Sequence, residues 1–468
     1  MMPVLLWTDA LIFLLTAVVI IFVIYARSKP HLRTPWYRVF RGRIAAASVV
    51  VLLAFIVIGL LDSLHFRLQL EDNGNSDATH YSVAVLSVLD VMLGPVRTQV
   101  EKTYSAPFAT HLFARETIER EDGTKLRAHP RLQYGGRHLP ASGEGRGRDI
   151  LQRSLLAVVE ALLAGTIILY ATAALLGRRS GRSSRRMRQL IIARETMLPW
   201  RTIIVTGTFI LLLVFLAVNL ASAFHVLGTD KVGQDVFYQT LKSIRTGLLI
   251  GTLTTLIMLP FAIFMGIVAG YARGWTDDVV QYIYTTLNSI PGVLLIAASI
   301  LMLQVYIANH PEYFETTVER ADIRLLFLCI ILGITSWTGL CRLLRGEALK
   351  LREAEYIQAA TSFGVAHGKI ITRHILPNVM HVVLITVVLD FSGLVLAEAV
   401  LSYVGVGVDP TMNSWGNMIN SARLEMAREP VVWWSLFSAF LFMFVLVLAA
   451  NLFSDAVRDA FDPRTRER

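Results

Sequence analysis

The segment EAEYIQAATSFGVAHGKIITRHILP, residues 353–377, decides the fold because it is a short polar stretch between two long apolar runs. Four of its residues recur at the spacing that lines one face of a helix: Tyr356, Ile357, Ala360 and Phe363. Gly364 follows where a helix end needs a left-handed residue, a conformation that glycine adopts at little cost. The pattern predicts a short surface helix with an apolar face, held between two membrane helices.

The residues around this apolar face indicate what the helix would do. Glu353 and Glu355 lie away from the face, whereas the small Ala359 and Ala360 would let the backbone of a partner approach closely. An amphipathic helix of this kind can fill a hydrophobic cleft in another protein, or it can lie on lipid. A second short basic helix, KIITRHIL, is predicted to lead to Pro377, a residue suited to the first turn of the next span.

The composition places the chain in a membrane. Hydrophobic residues make up 54% of the 468 residues and charged residues only 17%, whereas about a quarter of the residues of a soluble domain are charged. Runs of about 20 apolar residues can cross a hydrocarbon core as helices. We predict an all-α polytopic membrane protein with nine spans, at 4–25, 43–62, 153–176, 202–224, 244–271, 279–305, 323–345, 377–402 and 431–453.

Basic loops set the predicted orientation. The segment 26–43 has six Arg or Lys residues and no acid, and the segment 177–201 has eight arginines against Glu195 alone. Short basic loops stay in the cytoplasm, so nine spans place the N-terminus outside and the basic C-terminus inside. The net charge of +9 is therefore assigned to topology and not to nucleic-acid binding. These arginines also suit contact with anionic lipid headgroups.

The chain is predicted to have five parts. They are two N-terminal membrane helices (1–62), an insert outside the cytoplasm (63–150), a third membrane helix (151–176), a basic cytoplasmic linker (177–201) and a six-helix core (202–468) with a cytoplasmic loop at 346–377.

The insert is predicted to be a small periplasmic α+β domain. Residues 80–96 are apolar and fit either a strand or a buried helix, because their periodicity does not decide between the two. Asp122-Gly123 between charged flanks indicates a hairpin turn. The histidines of the insert are scattered along the sequence and do not predict a metal site. The insert would serve either as a packing cap or as a docking site for a partner protein.

Three further motifs lie in the six-helix core. GTDKVGQD, residues 228–235, is a compact polar turn just outside the membrane, and GWTDD, residues 274–278, is a tight cytoplasmic turn. A Gly/Pro-rich external loop at 402–420 contains SWGNMIN. With the 353–377 segment, these motifs resemble in order and spacing the inner-membrane permease subunits of peptide and nickel ABC importers. The resemblance covers residues 202–455 and is nearest to the C-type subunit of dipeptide and oligopeptide systems.

This resemblance implies a bacterial inner-membrane protein that forms half of a peptide translocation pathway. The implied partners are two ABC ATPase subunits or one heterodimer, which hold ATP and Mg²⁺, a second homologous permease and a periplasmic substrate-binding protein. The 353–377 segment corresponds to the family's EAA loop, which docks into the ATPase. The residues to which that coupling role carries over are Glu353, Glu355, Tyr356, Gln358, Ala359, Ala360, Phe363 and Gly364.

Two positions depart from the family pattern. Gln358 stands where Glu is usual, and Gln234 stands where Arg is common. Gln358 keeps its capacity for hydrogen bonds but lacks a charge that could pair with an arginine of the ATPase. We therefore expect docking that is weaker or differently tuned, but not lost.

Motifs for catalysis are missing from the sequence. A phosphate-binding loop needs GxxxxGK[ST], and the nearest match, from Gly364 to Ile370, is one residue short and lacks the hydroxyl. The sequence also has no HExxH and no GxSxG. We therefore expect a non-catalytic transport subunit that binds no cofactor and no metal, with ATP hydrolysis on another chain.

Polar residues in the predicted spans mark a candidate translocation path. Asp390 and Glu398 are eight residues apart in the eighth span, so they share a helix face. Acids inside a membrane are usually functional; these would either meet the amino group of a substrate or pair with a neighbouring helix. Asn288 and Ser289, just before Pro291, are candidates for a cytoplasmic gate.

Two functions of other classes stay open from the residues alone. One is a secondary transporter driven by protons through Asp390 and Glu398, which would work without ATP. The other is a membrane scaffold or sensor that acts through the insert and moves no substrate. Neither alternative explains the 353–377 segment.

Overall fold

A computed structural model describes residues 2–28, 30–69, 81–119, 125–140, 143–314 and 316–461 of the chain. The helices in chain order are α1 (Trp7–Ser28), α2 (Pro30–Arg41), α3 (Arg43–Ser63), α4 (Val88–Met92), α5 (Gly94–Thr98), α6 (Arg146–Ser180), α7 (Ser184–Ala193), α8 (Trp200–Ala221), α9 (Val236–Ala272), α10 (Trp275–Ser289), α11 (Gly292–Asn309), α12 (Thr317–Arg352), α13 (Glu355–Ser362), α14 (His367–Tyr403), α15 (Trp415–Glu425) and α16 (Trp434–Phe461). A single 3₁₀ turn lies at Pro311–Tyr313.

Membrane-spanning helices dominate this architecture, as the composition predicts. In the described ranges nine helices are long and apolar enough to cross a membrane: α1, α3, α6, α8, α9, α11, α12, α14 and α16. The all-α polytopic fold and its nine predicted spans are therefore confirmed, and only individual boundaries differ.

The sixth span differs most from its prediction at 279–305. Helix α10 ends at Ser289, and α11 begins only at Gly292. Pro291 separates them because a residue before proline is driven out of the helical region, and Ile290 is indeed extended (φ −89°, ψ 128°). The apolar helix of membrane length is α11 alone, and α10 is a separate, more polar helix.

A short basic helix that leads to a span opened by Pro377 was predicted after the polar segment, and a change of helix type marks this division, since regular α-helix resumes at Leu376 with Pro377 in its first turn. Helix α14 runs without a break from His367 to Tyr403, and its second turn, Ile371–Ile375, is a wider π-helical turn. Pro377 follows this turn directly. Proline has no N–H to donate to the preceding turn and its ring crowds that turn, so a locally wider turn lets the helix continue past it.

Strands occur only near the N-terminus and in the insert, in the part of the chain that the structure describes. Strands β1 (Met2–Val4), β2 (His65–Gln69) and β3 (Tyr81–Ser87) form an antiparallel sheet in the order β1-β2-β3. Strand β1 lies partly inside the predicted first span, which instead begins as a helix at Trp7. Because β1 pairs with β2, the N-terminus lies against the insert.

The apolar stretch 80–96, whose periodicity fits either a strand or a helix, contains one of each. Strand β3 is followed at once by α4, whose first turn has a capping box: the Ser87 hydroxyl accepts from the Asp90 N–H, and the Asp90 carboxylate accepts from the Ser87 N–H. His80 lies outside the described residues. Serine at an N-cap followed by an acid three residues on is the local signal that ends the strand and starts the helix.

The two strands of the hairpin that was predicted in the insert are present and pair with each other. Strands β4 (Glu116–Glu119) and β5 (Lys125–Ala128) pair antiparallel, with Glu116 opposite Ala128 and Glu119 opposite Lys125. The Asp122-Gly123 turn itself lies outside the described residues. The insert thus contains strands and short helices, as predicted.

The chain divides into two compact units. The first contains β1, residues 34–246 and residues 413–456, and therefore the insert with α3, α6, α7 and α8. Within this unit Gly165 of α6 lies so close to α8 that an added Cβ would come within 2.5 Å of the Thr208 hydroxyl oxygen. Small residues let membrane helices approach in this way.

The second unit contains residues 5–33, residues 247–412 and, in the described part of the chain, residues 457–461. Its centre is the packing of α9 on α12, where Gly266 and Gly270 form a small-xxx-small motif. An added Cβ would lie 2.8 Å from the Cys341 carbonyl oxygen at the first glycine and 2.5 Å from the Arg345 carbonyl oxygen at the second. The two backbones are therefore in direct contact along this seam, close to the 353–377 segment in the chain.

Candidate functional site

Helix α13, the helix predicted from the 353–377 segment, is fixed to the second unit along one side. Ile357 is only 1% exposed and belongs to a core cluster with Leu344 of α12 and Ile370 of α14, and Ala360 packs against the same cluster. The prediction that Ile357 and Ala360 share one exposed apolar face with Tyr356 and Phe363 is therefore wrong. Two of the four residues anchor the helix, because burying them is what holds so short a helix in place.

The other side of α13 presents aromatic side chains to the surroundings. Phe363 is 87% exposed and Tyr356 is 47% exposed. The remaining side chains on this side are Glu355, Gln358 and Ala359, all exposed. Among the described residues, Phe363 is the most exposed of the large hydrophobic side chains.

The end of α13 depends on Gly364, as the sequence predicts. Its φ is +73°, and its N–H donates to the Thr361 carbonyl at 3.0 Å while the Val365 N–H donates to the Ala360 carbonyl at 3.1 Å. No atom lies within 4 Å of where a Cβ would be. Only the left-handed backbone, and not lack of space, therefore selects glycine here.

Glu353 lies just before α13 and contacts two other residues of the same chain. Its carboxylate forms an ion pair with Arg273, at the end of α9, and its carbonyl accepts a hydrogen bond of 3.2 Å from the Gln358 side chain. Both charged side chains of the pair are about half exposed. Exposed pairs of this kind contribute little stability, so the contact positions the segment more than it stabilises it.

A stronger ion pair lies between α10 and α12. Arg345 donates to both carboxylate oxygens of Asp277, at 2.5 and 2.7 Å. These hydrogen bonds outweigh partial burial and hold the pKa of Asp277 below its usual range. A bidentate guanidinium–carboxylate pair fixes orientation as well as distance, so α10 and the end of α12 are fixed to each other.

Tyr271, at the end of α9, joins the same region to α14. Its hydroxyl lies 2.8 Å from the His367 Nδ1 atom, and its carbonyl accepts from the Arg352 guanidinium at 2.7 Å. Beyond α13, the Asn378 side chain donates to the Tyr356 hydroxyl at 3.2 Å. Each helix around α13 is thus connected to it or to a neighbour through polar side chains.

Sequence reasoning missed most of these contacts. The Asp277–Arg345 and Tyr271–His367 pairs join residues 68 and 96 positions apart, and no periodicity links positions so far apart. Asp277 stands out in the sequence only as part of a polar turn.

The candidate path residues do not form one group. Asn288 accepts a hydrogen bond of 3.1 Å from Thr338 of α12, and Ser289 is exposed and bonds only to the Thr285 carbonyl of its own helix. Glu398 is 2% exposed and accepts from the Ser402 hydroxyl one turn further along at 2.7 Å. Asp390 is partly buried, and among the described residues its carboxylate has no hydrogen-bond partner.

A second polar cluster, in the first unit, was not foreseen. It consists of Glu101, His225 and Asp235, which we call the external clamp. The His225 Nδ1 atom lies 2.7 Å from an Asp235 carboxylate oxygen, and its Nε2 atom lies 3.4 Å from a Glu101 oxygen. The clamp joins the insert to the GTDKVGQD turn, since Asp235 closes that turn.

Backbone groups complete the external clamp. Glu101 accepts three backbone N–H bonds, from Gln133 at 2.8 Å, Tyr134 at 2.8 Å and Gly135 at 3.0 Å. The Glu101 N–H donates to the Gly233 carbonyl at 2.9 Å, and a Cβ on Gly233 would lie 1.8 Å from the Glu101 carbonyl oxygen. The second glycine of the turn is therefore required by the close approach of the insert.

Charge and burial set the titration of the external clamp. Burial alone would raise the pKa of Glu101, but hydrogen bonds from His225 and the three backbone N–H groups lower this pKa to about 2. Burial alone would lower the pKa of His225, but hydrogen bonds to Asp235 and Glu101, and their charges, raise it to about 9. The clamp is thus a buried cation between two carboxylates at neutral pH.

Comparisons with known proteins identify relatives of the chain. Residues 262–467 match the family described as the binding-protein-dependent transport system inner membrane component. Over 242 residues, which are 52% of this chain and 77% of the relative, the chain is 33% identical to the oligopeptide transport system permease protein OppC of Mycobacterium tuberculosis strain ATCC 25618 / H37Rv. The chain belongs to the family of binding-protein-dependent transport permeases.

Other relatives of this permease carry related names. It is 32% identical over 245 residues, 52% of this chain and 74% of the relative, to the glutathione transport system permease protein GsiD of Pectobacterium atrosepticum. It is 29% identical over 245 residues, 52% of this chain and 70% of the relative, to the dipeptide transport system permease protein DppC of Bacillus subtilis. The chain is thus a multi-pass membrane permease subunit, and α13 lies within the matched residues.

Proposed function

We propose that this permease forms half of the translocation pathway of a peptide importer and that ATP is hydrolysed by separate ATPase subunits. The observation that carries the proposal is α13, which is anchored by Ile357 and offers Tyr356 and Phe363 to a partner. The printed names of the relatives, for oligopeptide, dipeptide and glutathione systems, favour peptides as the substrate class.

The coupling role is proposed for the residues of α13 and its flanks. They are Glu353, Glu355, Tyr356, Gln358, Ala359, Ala360, Phe363 and Gly364. In this division of roles, Phe363 and Tyr356 enter a cleft of the ATPase, Ala359 permits close approach, and Ala360 and Gly364 fix the helix and its end. Burying one large apolar side chain in a partner contributes about 1.5–3 kcal/mol, so Phe363 is the residue with the most to contribute.

Motion of α13 would reach the spans through the polar contacts described above. Glu353 connects the segment to Arg273 at the end of α9, and Tyr271 connects α9 to His367 of α14. A displacement of α13 by the ATPase would therefore tilt α9, α12 and α14 together. We assign the translocation path to the candidates Asp390, Glu398, Asn288 and Ser289.

The proposed assembly and orientation follow the family. The permease would pair with a second homologous permease, two ATPase subunits or one heterodimer, and a periplasmic substrate-binding protein, in a bacterial inner membrane. Its N-terminus and insert would lie in the periplasm, and its C-terminus and α13 in the cytoplasm. The β1–β2 pairing supports a shared side for the N-terminus and the insert. Residues 202–468 would form the permease core and residues 1–176 an extension with three spans.

The test compares two exposed phenylalanines in the reconstituted complex. Phe363→Ala should reduce peptide uptake and peptide-stimulated ATP hydrolysis by about 10-fold or more, because the docking contact is lost. Phe264→Ala on α9 removes a ring that is 64% exposed and should leave both rates unchanged. Uptake that persists without ATP, or equal losses in both variants, would overturn the proposal.

A further inference from the structure

Arginines without a carboxylate partner among the described residues cluster at one end of helices α3, α6 and α8. Helices α3, α6 and α8 pack within the first unit. The short helices α2 and α7 lie at one end of this three-helix group, because α2 leads into α3 and α7 joins the end of α6 to the start of α8. Basic side chains concentrate at this end.

Helix α7 is held against its neighbours mainly by apolar contacts. Met187 and Ile191 are buried, and they pack with Ala173 of α6 and Ile204 of α8. The Ser183 hydroxyl caps the helix by accepting from the Arg186 N–H at 3.3 Å. One side of α7 therefore packs against α6 and α8, and the arginines lie on its other sides.

The turn that leads into α7 also has a defined backbone conformation. An added Cβ on Gly177 would lie 2.9 Å from the Arg182 carbonyl oxygen, and Gly181 adopts a left-handed conformation with φ +66°. The Arg182 N–H donates to the Gly177 carbonyl at 3.0 Å. The basic segment thus has a fixed shape against the end of α6.

Seven of the eight arginines of this segment are exposed: Arg178, Arg179, Arg182, Arg185, Arg186, Arg194 and Arg201. In the described residues none of them forms an ion pair with a carboxylate. The eighth, Arg188, lies over the Tyr170 ring with its guanidinium carbon 4.7 Å from the ring centroid. Elsewhere in the chain, by contrast, Arg345, Arg153 and Arg324 each pair with an aspartate.

Helix α2 adds charge and aromatic rings to the same end. Arg38 and Arg41 are exposed, while Val39 is buried. The Trp36 and Phe40 rings stack with centroids 6.3 Å apart. Basic residues with aromatic rings at the end of a spanning helix are typical of the membrane interface.

Two exposed apolar side chains lie close to these arginines in the chain. Leu175 of α6 is 60% exposed and Ile192 of α7 is 52% exposed. A ligand that meets both the arginines and these side chains needs an anionic head and an apolar body. We propose that this end of the three-helix group is a binding site for acidic phospholipids. Guanidinium groups suit phosphate because they offer paired donors.

This inference concerns the extension and does not depend on the peptide-transport proposal. The site is tested on the purified full-length chain by native mass spectrometry, with cardiolipin or phosphatidylcholine added in detergent. A basic side chain near an anionic lipid surface contributes about fivefold in affinity. The double variant Arg185→Gln/Arg186→Gln should therefore bind cardiolipin on the order of twenty-fold more weakly and phosphatidylcholine unchanged.

The matched control removes two exposed arginines from the start of α6, the end of that helix far from α7. Arg146→Gln/Arg148→Gln at the start of α6 should keep the affinity for cardiolipin, and thermal unfolding should show that both double variants stay folded. Equal affinities in the two variants, or equal losses, would overturn the lipid site. In co-purification from native membranes, loss of ATPase subunits from Arg185→Gln/Arg186→Gln with cardiolipin binding retained would overturn the lipid site and make this end a protein-docking surface.

Discussion

The surroundings of α13 and the external clamp use the same kinds of side chain in opposite ways. Around α13 the acid–base contacts are partly or largely exposed, as for Arg273 and Glu353 at 46% and 57%. In the external clamp, His225 and its two carboxylates are at most 3% exposed. Exposed contacts are inexpensive to rearrange, whereas a buried charge cannot lose its partner without a large cost. The difference separates a region whose contacts rearrange easily from one that stays fixed.

The largest effect should come from removing a partner inside the external clamp. Glu101→Ala leaves a buried histidine cation short of a carboxylate and three backbone N–H groups without an acceptor. The free energy of unfolding of the insert should fall by about 3–5 kcal/mol, measured as faster limited proteolysis between residues 98 and 140. Lys102→Ala, the exposed neighbour, should change it by less than about 1 kcal/mol. Equal proteolysis of the two variants would show that the clamp is not a fixed joint.

The pH dependence of the insert is the next largest effect expected. The folded pKa of His225 is about 9, above its ordinary 6.5, so its stabilisation is complete below pH 6.5 and is lost as the pH rises through 9. The folded pKa of Glu101 is about 2, below its ordinary 4.5, so its stabilisation is complete above pH 4.5 and is lost as the pH falls through 2.

The insert should therefore be most resistant to hydrogen exchange between pH 4.5 and pH 6.5, after correction for intrinsic exchange rates. In His225→Gln the alkaline loss should disappear. An alkaline loss that survives this substitution would place its origin outside the external clamp.

A smaller effect is expected from the bidentate pair near α13. Asp277→Asn removes the charge that orients Arg345 and should lower the free energy of unfolding by about 1–2 kcal/mol. Glu353→Gln should lower it by less than about 0.5 kcal/mol, because its pair with Arg273 is exposed. Thermal unfolding of the purified chain measures both. A larger loss for Glu353→Gln would mean that the exposed pair and not the bidentate one holds this region together.

The smallest effect is expected at Gly364, where two substitutions test whether the left-handed backbone, and not a lack of space, requires glycine. Gly364→Val places a β-branched residue in the left-handed region and should weaken ATPase docking by about 1–2 kcal/mol. Gly364→Asn should weaken it by only a few tenths of a kcal/mol, since asparagine tolerates that region. Co-purification of the ATPase subunits at increasing salt compares the two. Equal recovery would mean that the end of α13 does not need its left-handed residue.

The sequence is a good guide to elements whose signal is local. Nine apolar runs predict nine helices, and Gly364 predicts the end of α13, because length, apolarity and backbone conformation act within a few residues. Serine and aspartate at 87 and 90 also carry a local cap signal. The break at Pro291 was readable in principle from the rule for residues before proline.

The contacts that position the site are not local, and they could not be predicted. Which side of α13 faces inward depends on Leu344 and Ile370, which belong to other helices, so periodicity alone assigned all four apolar residues to one face. The external clamp joins Glu101 to His225 across 124 positions. A single sequence holds no pattern that connects such residues.

The pairing of β1 with β2 has a consequence for how this protein is made. The two strands are separated in the chain by α1 and α3, so β1 must wait without a partner until α3 has crossed the membrane and released β2. The register in which Met2 lies opposite Arg67 and Val4 opposite His65 can form only if both crossings have succeeded. A chain in which only one of the two helices has crossed therefore cannot complete this sheet.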